Sequence, residues 1–266
     1  MMRLVRLTSS TALASCFGAL WLAAVSMHAQ AQPIPQSTAI PVVFTQSLVA
    51  GNAKPGDIVT AKLTQAVSLA GGKVIPVGTP VVGHVVGSSA FTFDPARYAV
   101  QKSSVLSVHF DKIVEGGSAV PVSLLLRAVA GPIQSHEAAI AHYRDESDST
   151  GTRTLIGGSS FSPIETQVLS PNGDVVGYET KQGVVARLLL GDGVNENSTP
   201  QCEATDTEQA VGLFSPNACG VYGLNAVSMP INGSTNNGTF VLESQRQTVK
   251  VYAGSAALLQ VLGSGL

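Results

Sequence analysis

The chain has 266 residues, a formal net charge of −2, 44% hydrophobic and only 12% charged side chains, with 27 glycines. Enough apolar residues for a packed core exclude intrinsic disorder, and the lack of a basic stripe or an aromatic platform excludes nucleic acid as a partner. Few charges and abundant glycine fit a turn-rich β-protein whose surface is Ser, Thr, Asn and Gln.

Arg3 and Arg6 precede an apolar run from Ala12 to Met27, and Ala29-Gln30-Ala31 supplies a small-x-small site. This is the pattern of a signal peptide cleaved after Ala31, leaving Gln32 at the mature terminus. The run is shorter than the roughly 18 to 20 residues of a spanning helix, so no transmembrane helix is expected after cleavage. Leu13-Ala14-Ser15-Cys16 has the form of a lipoprotein site, but the most apolar part, Phe17 to Val25, follows that Cys, where a lipoprotein carries a polar tether. With Cys16 removed, Cys202 and Cys219 remain as an even pair, expected to form a disulfide in an oxidising compartment. Closing that loop contributes roughly 3 kcal/mol in the chain-entropy model. A two-Cys metal site would need further His or Cys nearby, and there are none.

In chain order, residues 32–38 read as a Pro- and Gln-rich tether, and folding starts near Ala39. Ile40 to Leu48 reads as a first strand. Lys54-Pro55-Gly56-Asp57 turns into Ile58 to Leu63, which places Val59, Ala61 and Leu63 on one face. Gly71-Gly72 and Gly78-Thr79-Pro80 bound short strands that lead into Val81 to Val86. Residues 87–102 are irregular, with Phe91, Phe93 and Tyr98 either covering the core edge or contacting a ligand. Val105 to Val114 alternates most cleanly, with Leu106, Val108 and Phe110 inward and Ser107, His109 and Asp111 outward. Glu115-Gly116-Gly117 then turns it into Val120 to Val129.

From Gly131 the pattern changes. Ser135 can cap good helix formers up to Tyr143, which predicts one short helix near 135–143. The Asp145 to Thr152 tract reads as a mobile surface loop. Ile164 to Ser170 and Val175 to Thr180 flank a Pro171-Asn172-Gly173 turn, a strong hairpin signal. Val184 to Leu190, Phe240 to Glu243, Thr248 to Tyr252 and Leu258 to Leu262 complete the strands.

One family resemblance rests on a defined set of motifs. The Pro55-Gly56-Asp57 turn, the Ile75-Pro76-x-Gly78-Thr79 corner, Phe110-Asp111-Lys112-Ile113 and Val120-Pro121-Val122 together resemble the C-terminal β-barrel domain of TrbI-type conjugation proteins, part of the outer channel in type IV secretion. The resemblance covers roughly residues 40–130 and implies a barrel-like fold in a bacterial envelope setting. Where that family has an inner-membrane helix and a Pro-rich arm, this chain has a cleavable signal, and it lacks an apolar helix pair for a pore. The secretion role is therefore not carried over. Residues 214–223, from Phe214 to Gly223, resemble a segment of uncharacterised exported bacterial proteins.

Motifs for chemistry are sparse. His136, Glu137 and His142 miss the His-Glu-x-x-His spacing that puts two imidazoles on one metal. His84 and His109 read as solvated or hydrogen-bonded structural imidazoles. No Gly-x-Ser-x-Gly elbow activates a serine, and Asp148-Ser149-Thr150-Gly151 misses the aspartic-protease pattern by one residue. Asp192, Asn195, Glu196 and Asn197 crowd one turn without the spacing of a calcium loop. The sequons at Asn197, Asn232 and Asn237 would go unused in a bacterium.

These readings lead to an all-β protein with an antiparallel barrel-like or sandwich core and one short helix. Its expected segments are a signal peptide (1–31), a tether (32–38), a β-barrel-like region (39–130), a helix and linker (131–160) and a second β region with the disulfide (161–266), the two β regions either sharing one core or having one each. No catalytic, cofactor or metal residues are assigned. The expected function is a non-catalytic exported module, in the periplasm, on the outer membrane or outside the cell, that binds an envelope protein or a surface polymer. The alternative is a secreted hydrolase with loop-borne residues, for which His136, His142, Asp145 and Glu146 would have to share a pocket.

Overall fold

Alternation makes the strand Ser104–Glu115: Leu106, Val108, Phe110 and Ile113 are buried, and the residues between them are partly exposed. The computed structural model describes residues 34–69, 72–95, 101–143, 150–162, 164–191, 202–230 and 237–262. The first half holds β1 (Ala39–Phe44), β2 (Leu48–Val49), β3 (Ile58–Leu63), β4 (Val67–Ser68), β5 (Val74–Ile75), β6 (Pro80–Ser89), β7 (Thr92–Phe93), β8 (Gln101–Lys102), β9 (Ser104–Glu115), β10 (Ser118–Pro121) and β11 (Leu124–Ala130). Helix α1 (Pro132–Ala139) separates these from β12 (Arg153–Thr154), β13 (Ser160–Phe161), β14 (Gln167–Leu169), β15 (Val175–Thr180), β16 (Gly183–Arg187) and β17 (Glu208–Ala210). Four strands follow: β18 (Gly220–Tyr222), β19 (Thr239–Ser244), β20 (Lys250–Val251) and β21 (Ala256–Val261).

The fold is all-β with one short helix among the described residues. A nine-stranded sheet runs β10-β9-β6-β3-β1-β21-β11-β18, with β19 added beside β9. Its ladders are antiparallel except the parallel β11–β18 pair. A second, six-stranded sheet is a meander, β12 to β17 in chain order. Three two-stranded ribbons, β2–β20, β4–β5 and β7–β8, decorate the edges. Among the described residues the expected barrel is not closed: the large sheet curls until Gly238 packs against the Leu124 backbone, at 3.0 Å from a notional Cβ, but no ladder there joins β19 to β11.

Two apolar clusters hold the sheets. The larger lines the concave face, where Phe110 packs against Phe44 and Phe240 with ring centroids 6.1 Å apart in each pair. The smaller lies between the opposite face and the six-stranded sheet. There Ala39, Ala128, Ala130 and Ala256 meet Phe161, Val168 and Phe214. Strands β1, β21 and β11 are therefore covered on both faces, and they read as nearly continuous apolar runs, AIPVVF, AALLQV and LLLRAVA. Alanine on the outer face lets the second sheet approach.

Strand β21, from the end of the described chain, sits between β1 and β11. Strand β19 likewise pairs with β9 from Thr239↔His109 to Ser244↔Ser104. The region read as 39–130 thus shares its sheet with strands drawn from the later region. Helix α1 starts at Pro132, earlier than the sequence pattern indicates, because proline at the first helical turn has no amide to satisfy. Ser135 lies inside the helix instead of capping it. Its hydroxyl donates to the Gly131 carbonyl and accepts from the Ala256 amide, fixing α1 to β21. The predicted cleavage residues Ala29, Ala31 and Gln32 lie outside the described residues, as do Tyr98, Asp145, Glu146, Asp148, the Asp192–Asn197 turn and the Asn197 and Asn232 sequons.

Candidate binding cleft

The predicted disulfide is formed: Cys202 and Cys219 are bonded, with Cα atoms 5.9 Å apart. Beside it lies a residue that motif reading passed over. A β-bulge between Leu126 and Ala128 makes Arg127 the extra residue in β11 and turns its side chain out of the ladder phase. Arg127 is completely buried. Its Nε donates to the Ala218 carbonyl at 3.1 Å, Nη1 to Glu203 at 2.6 Å, and Nη2 to Leu189 and, at 3.3 Å, to Pro216. Burial lowers its pKa to about 10, opposed by the neighbouring Tyr222 phenol. The guanidinium thus ties three loops around the disulfide to the central sheet. A single Arg inside an apolar strand, LLLRAVA, is the sequence signal for it, because an unpaired buried charge would be prohibitive.

The other predicted residues scatter. His142 Nε2 lies 3.1 Å from the Glu137 carboxylate, both half exposed, and His136 points to solvent on α1. Asn237 is described, and its Oδ1 accepts from the Thr239 amide at 3.3 Å. Among the described residues no three His, Cys, Asp or Glu side chains are arranged to hold a metal ion.

His84 and His109 do meet. They are partners across β6–β9, with ring centroids 5.6 Å apart. A second bulge, between Val82 and Gly83, makes Asp111 the extra residue and aims its carboxylate at both rings. Its oxygens lie 2.9 Å from His84 Nδ1 and 3.6 Å from His109 Nε2. Gly83 is required here, since a Cβ would run into the His109 carbonyl oxygen. His109 and Asp111 border a cavity of about 650 Å³ that also touches Ser123. No hydrogen bond among the described residues joins the Ser123 hydroxyl to either imidazole.

A different concavity, of about 620 Å³, has another character. Its floor is the β2–β20 ribbon, where Val49 pairs with Lys250. One wall is the 223–227 turn and the other the 50–53 loop packed against Ala90. Gly51, with φ +83°, makes that wall possible: a Cβ there would come 2.6 Å from the Ala90 Cβ. On the opposite wall Ala226 has φ +53°, uncommon for a residue with a side chain, and it holds the turn that presents Asn225. The Gln247 side-chain amide donates to the Asn225 carbonyl and fixes this turn to the ribbon. The Thr248 hydroxyl accepts from the Phe91 amide at 3.2 Å, so the loop read as covering or contacting lies directly behind the cleft.

Among the described residues Lys250 is the single charged one in the lining, and neither carboxylate nor imidazole is found there. The remaining polar groups are amides and hydroxyls, from Asn52, Asn225, Gln247, Thr248 and Tyr252. Such a surface can hold a polar ligand by neutral hydrogen bonds. Comparison with protein-family models, curated proteins and solved structures finds no match to this chain.

Proposed function

We propose that the chain is an exported, non-catalytic β module of the cell envelope or secreted fraction, which binds a surface polymer or an envelope protein. The observation that carries this reading is the cleft on the β2–β20 ribbon: preformed, of about 620 Å³, and lined by amides, hydroxyls and aliphatic groups without an acid–base pair. Its size suits a small ligand or one unit of a longer chain. The basic and apolar N-terminal run ending in Ala29-Gln30-Ala31 supports export, and the Cys202–Cys219 bond suits an oxidising compartment. The TrbI-like motifs between residues 40 and 130 support an envelope setting.

Fractionation with intact-mass and N-terminal sequencing tests the address. A chain beginning at Gln32, recovered outside the cytoplasm with both thiols oxidised, is the expected result. An uncleaved chain in the cytoplasm would overturn it. Retention of the purified chain on isolated envelope material, without release of soluble fragments, tests binding without cleavage.

A second reading, a secreted hydrolase, draws on the His84–Asp111–His109 cluster beside the 650 Å³ cavity. Release of fragments from envelope polymer by the wild-type chain, abolished in Asp111→Asn, would select it.

A further inference from the structure

The polar cleft also indicates what kind of polymer it takes. Building on the binding reading above, we infer that the cleft on the β2–β20 ribbon binds an acidic saccharide, a sugar chain carrying carboxylates, with Lys250 taking the carboxylate.

Charge comes first. The chain as a whole has more acidic than basic residues, 17 Asp and Glu against 15 Lys and Arg, yet among the described residues the only charge in this lining is positive. Among the described residues Lys250 has no carboxylate partner, since the ion pairs these residues form lie elsewhere. An ammonium left unpaired at the side of a concavity attracts an anion from solution. One Lys matches a single carboxylate. Bidentate recognition of a phosphate or sulfate monoester favours an Arg fork or a nest of backbone amides, and among the described residues no Arg lines this cleft.

The neutral groups narrow the class further. Amides such as Asn52 and Asn225 offer a donor and an acceptor side by side, which matches the hydroxyl pairs of a sugar ring. The Thr248 hydroxyl accepts from Phe91 and keeps its own hydrogen to donate. Tyr252 is 46% exposed at the rim, where its ring can cover the C–H face of a sugar while its hydroxyl remains in water. Leu224 and Val227 supply a short apolar wall and no deep pocket of the kind that anchors a peptide side chain. Both walls are held by unusual backbone, Gly51 and Ala226 at positive φ, so the groups are positioned before ligand arrives. Among the described residues the lining has no carboxyl pair of the kind most glycoside hydrolases use.

The test is calorimetric titration of the oxidised, signal-cleaved chain with four probes: oligogalacturonate, an oligosialic acid, a neutral galactan oligomer and a poly-glutamate peptide. Lys250→Met and Tyr252→Ala are compared with wild type at equal thermal midpoints. The expected result is binding of at least one acidic oligosaccharide, weakened tenfold or more in each variant and by added salt, with little or no binding of the galactan. Equal affinity for galactan and acidic sugars, unchanged in Lys250→Met, would overturn the acidic class and leave the cleft as a neutral-sugar site. Binding of poly-glutamate alone would overturn the saccharide and assign an acidic peptide. No binding of any probe by a chain still retained on envelope material would place the site elsewhere, and loss of that retention too would remove the binding reading itself.

Discussion

The two sheets are held together in different ways. The nine-stranded sheet joins strands far apart in sequence, β1 with β21 and β9 with β19, around the large cluster centred on Phe110. The six-stranded sheet is assembled by neighbours in sequence, and it carries a smaller cluster supplemented by polar ties. Arg127 and the disulfide secure the loops beside it, and Gln65 spans to it, donating to the Val184 carbonyl at 2.8 Å and accepting from the Gly212 amide at 2.9 Å. Gln209 returns the tie by accepting from the Ala39 amide. A sheet made of local hairpins can form early, but its position on the core depends on a few polar groups that must all be satisfied.

Two substitutions of similar size separate these regimes. Phe110→Ala removes a fully buried ring that touches two other aromatics and should cost about 3–5 kcal/mol. Because β9 and its ladders are central, amide exchange protection should fall in both sheets together. Arg127→Ala should cost about 3–5 kcal/mol as well, by leaving several buried carbonyls without donors. Here protection should be lost first in β12 to β17 and the loops at 188–191 and 202–219, while β3, β6 and β9 keep theirs. Equal loss everywhere after Arg127→Ala would show that the two sheets form one cooperative unit.

Arg127 also has a pH signature. Its folded pKa of about 10 lies well below the ordinary guanidinium value because the group is buried, so below about pH 9 it is protonated in both folded and unfolded chains. The stability difference between wild type and Arg127→Met should therefore be level from pH 5 to 9 as far as this group is concerned. Above pH 10 the unfolded chain holds the proton longer, and wild-type stability should rise relative to the variant. Urea midpoints at several pH values measure this.

Next in size is the disulfide. Cys202→Ser with Cys219→Ser should lower stability by roughly 3 kcal/mol by the loop-entropy model for a separation of 17 residues. Gly191 packs so closely on both sulfur-bearing side chains that a Cβ would meet the Cys219 Cβ at 2.5 Å. Loosening should again begin in the second sheet's loops.

This contrast also explains what the sequence could disclose. Alternation marked β3, β6 and β9 because each has one covered face and one wetter face. Strands β1, β11 and β21 are covered on both, and their apolar runs contain no phase to read. Nothing local says that β21 inserts between β1 and β11, since that pairing follows from closing the core. The disulfide was legible from cysteine arithmetic, whereas the three-way meeting of His84, His109 and Asp111 depends on a bulge that a strict period of two does not allow. The cleft was the least legible feature. Its walls come from four separated segments, and its groups are common surface residue types with no spacing to mark them.

The smallest predicted effect concerns that bulge. Asp111 is partly exposed and sits between two imidazoles, so Asp111→Asn should change stability by less than about 1 kcal/mol, as exposed ion pairs do. Gly83→Ala on the adjacent strand should cost more, about 1–3 kcal/mol, because its new methyl collides with β9 backbone and the ladder must shift. The order of these two values decides what the bulge is for. If Gly83→Ala is the costlier, close strand approach is what stability requires, and the carboxylate is free to serve the adjoining cavity. If Asp111→Asn is the costlier, the carboxylate is a structural clamp on the two histidines. The cavity beside it would then lose its claim to chemistry, and the polar cleft on the β2–β20 ribbon would stand as the functional concavity of the two.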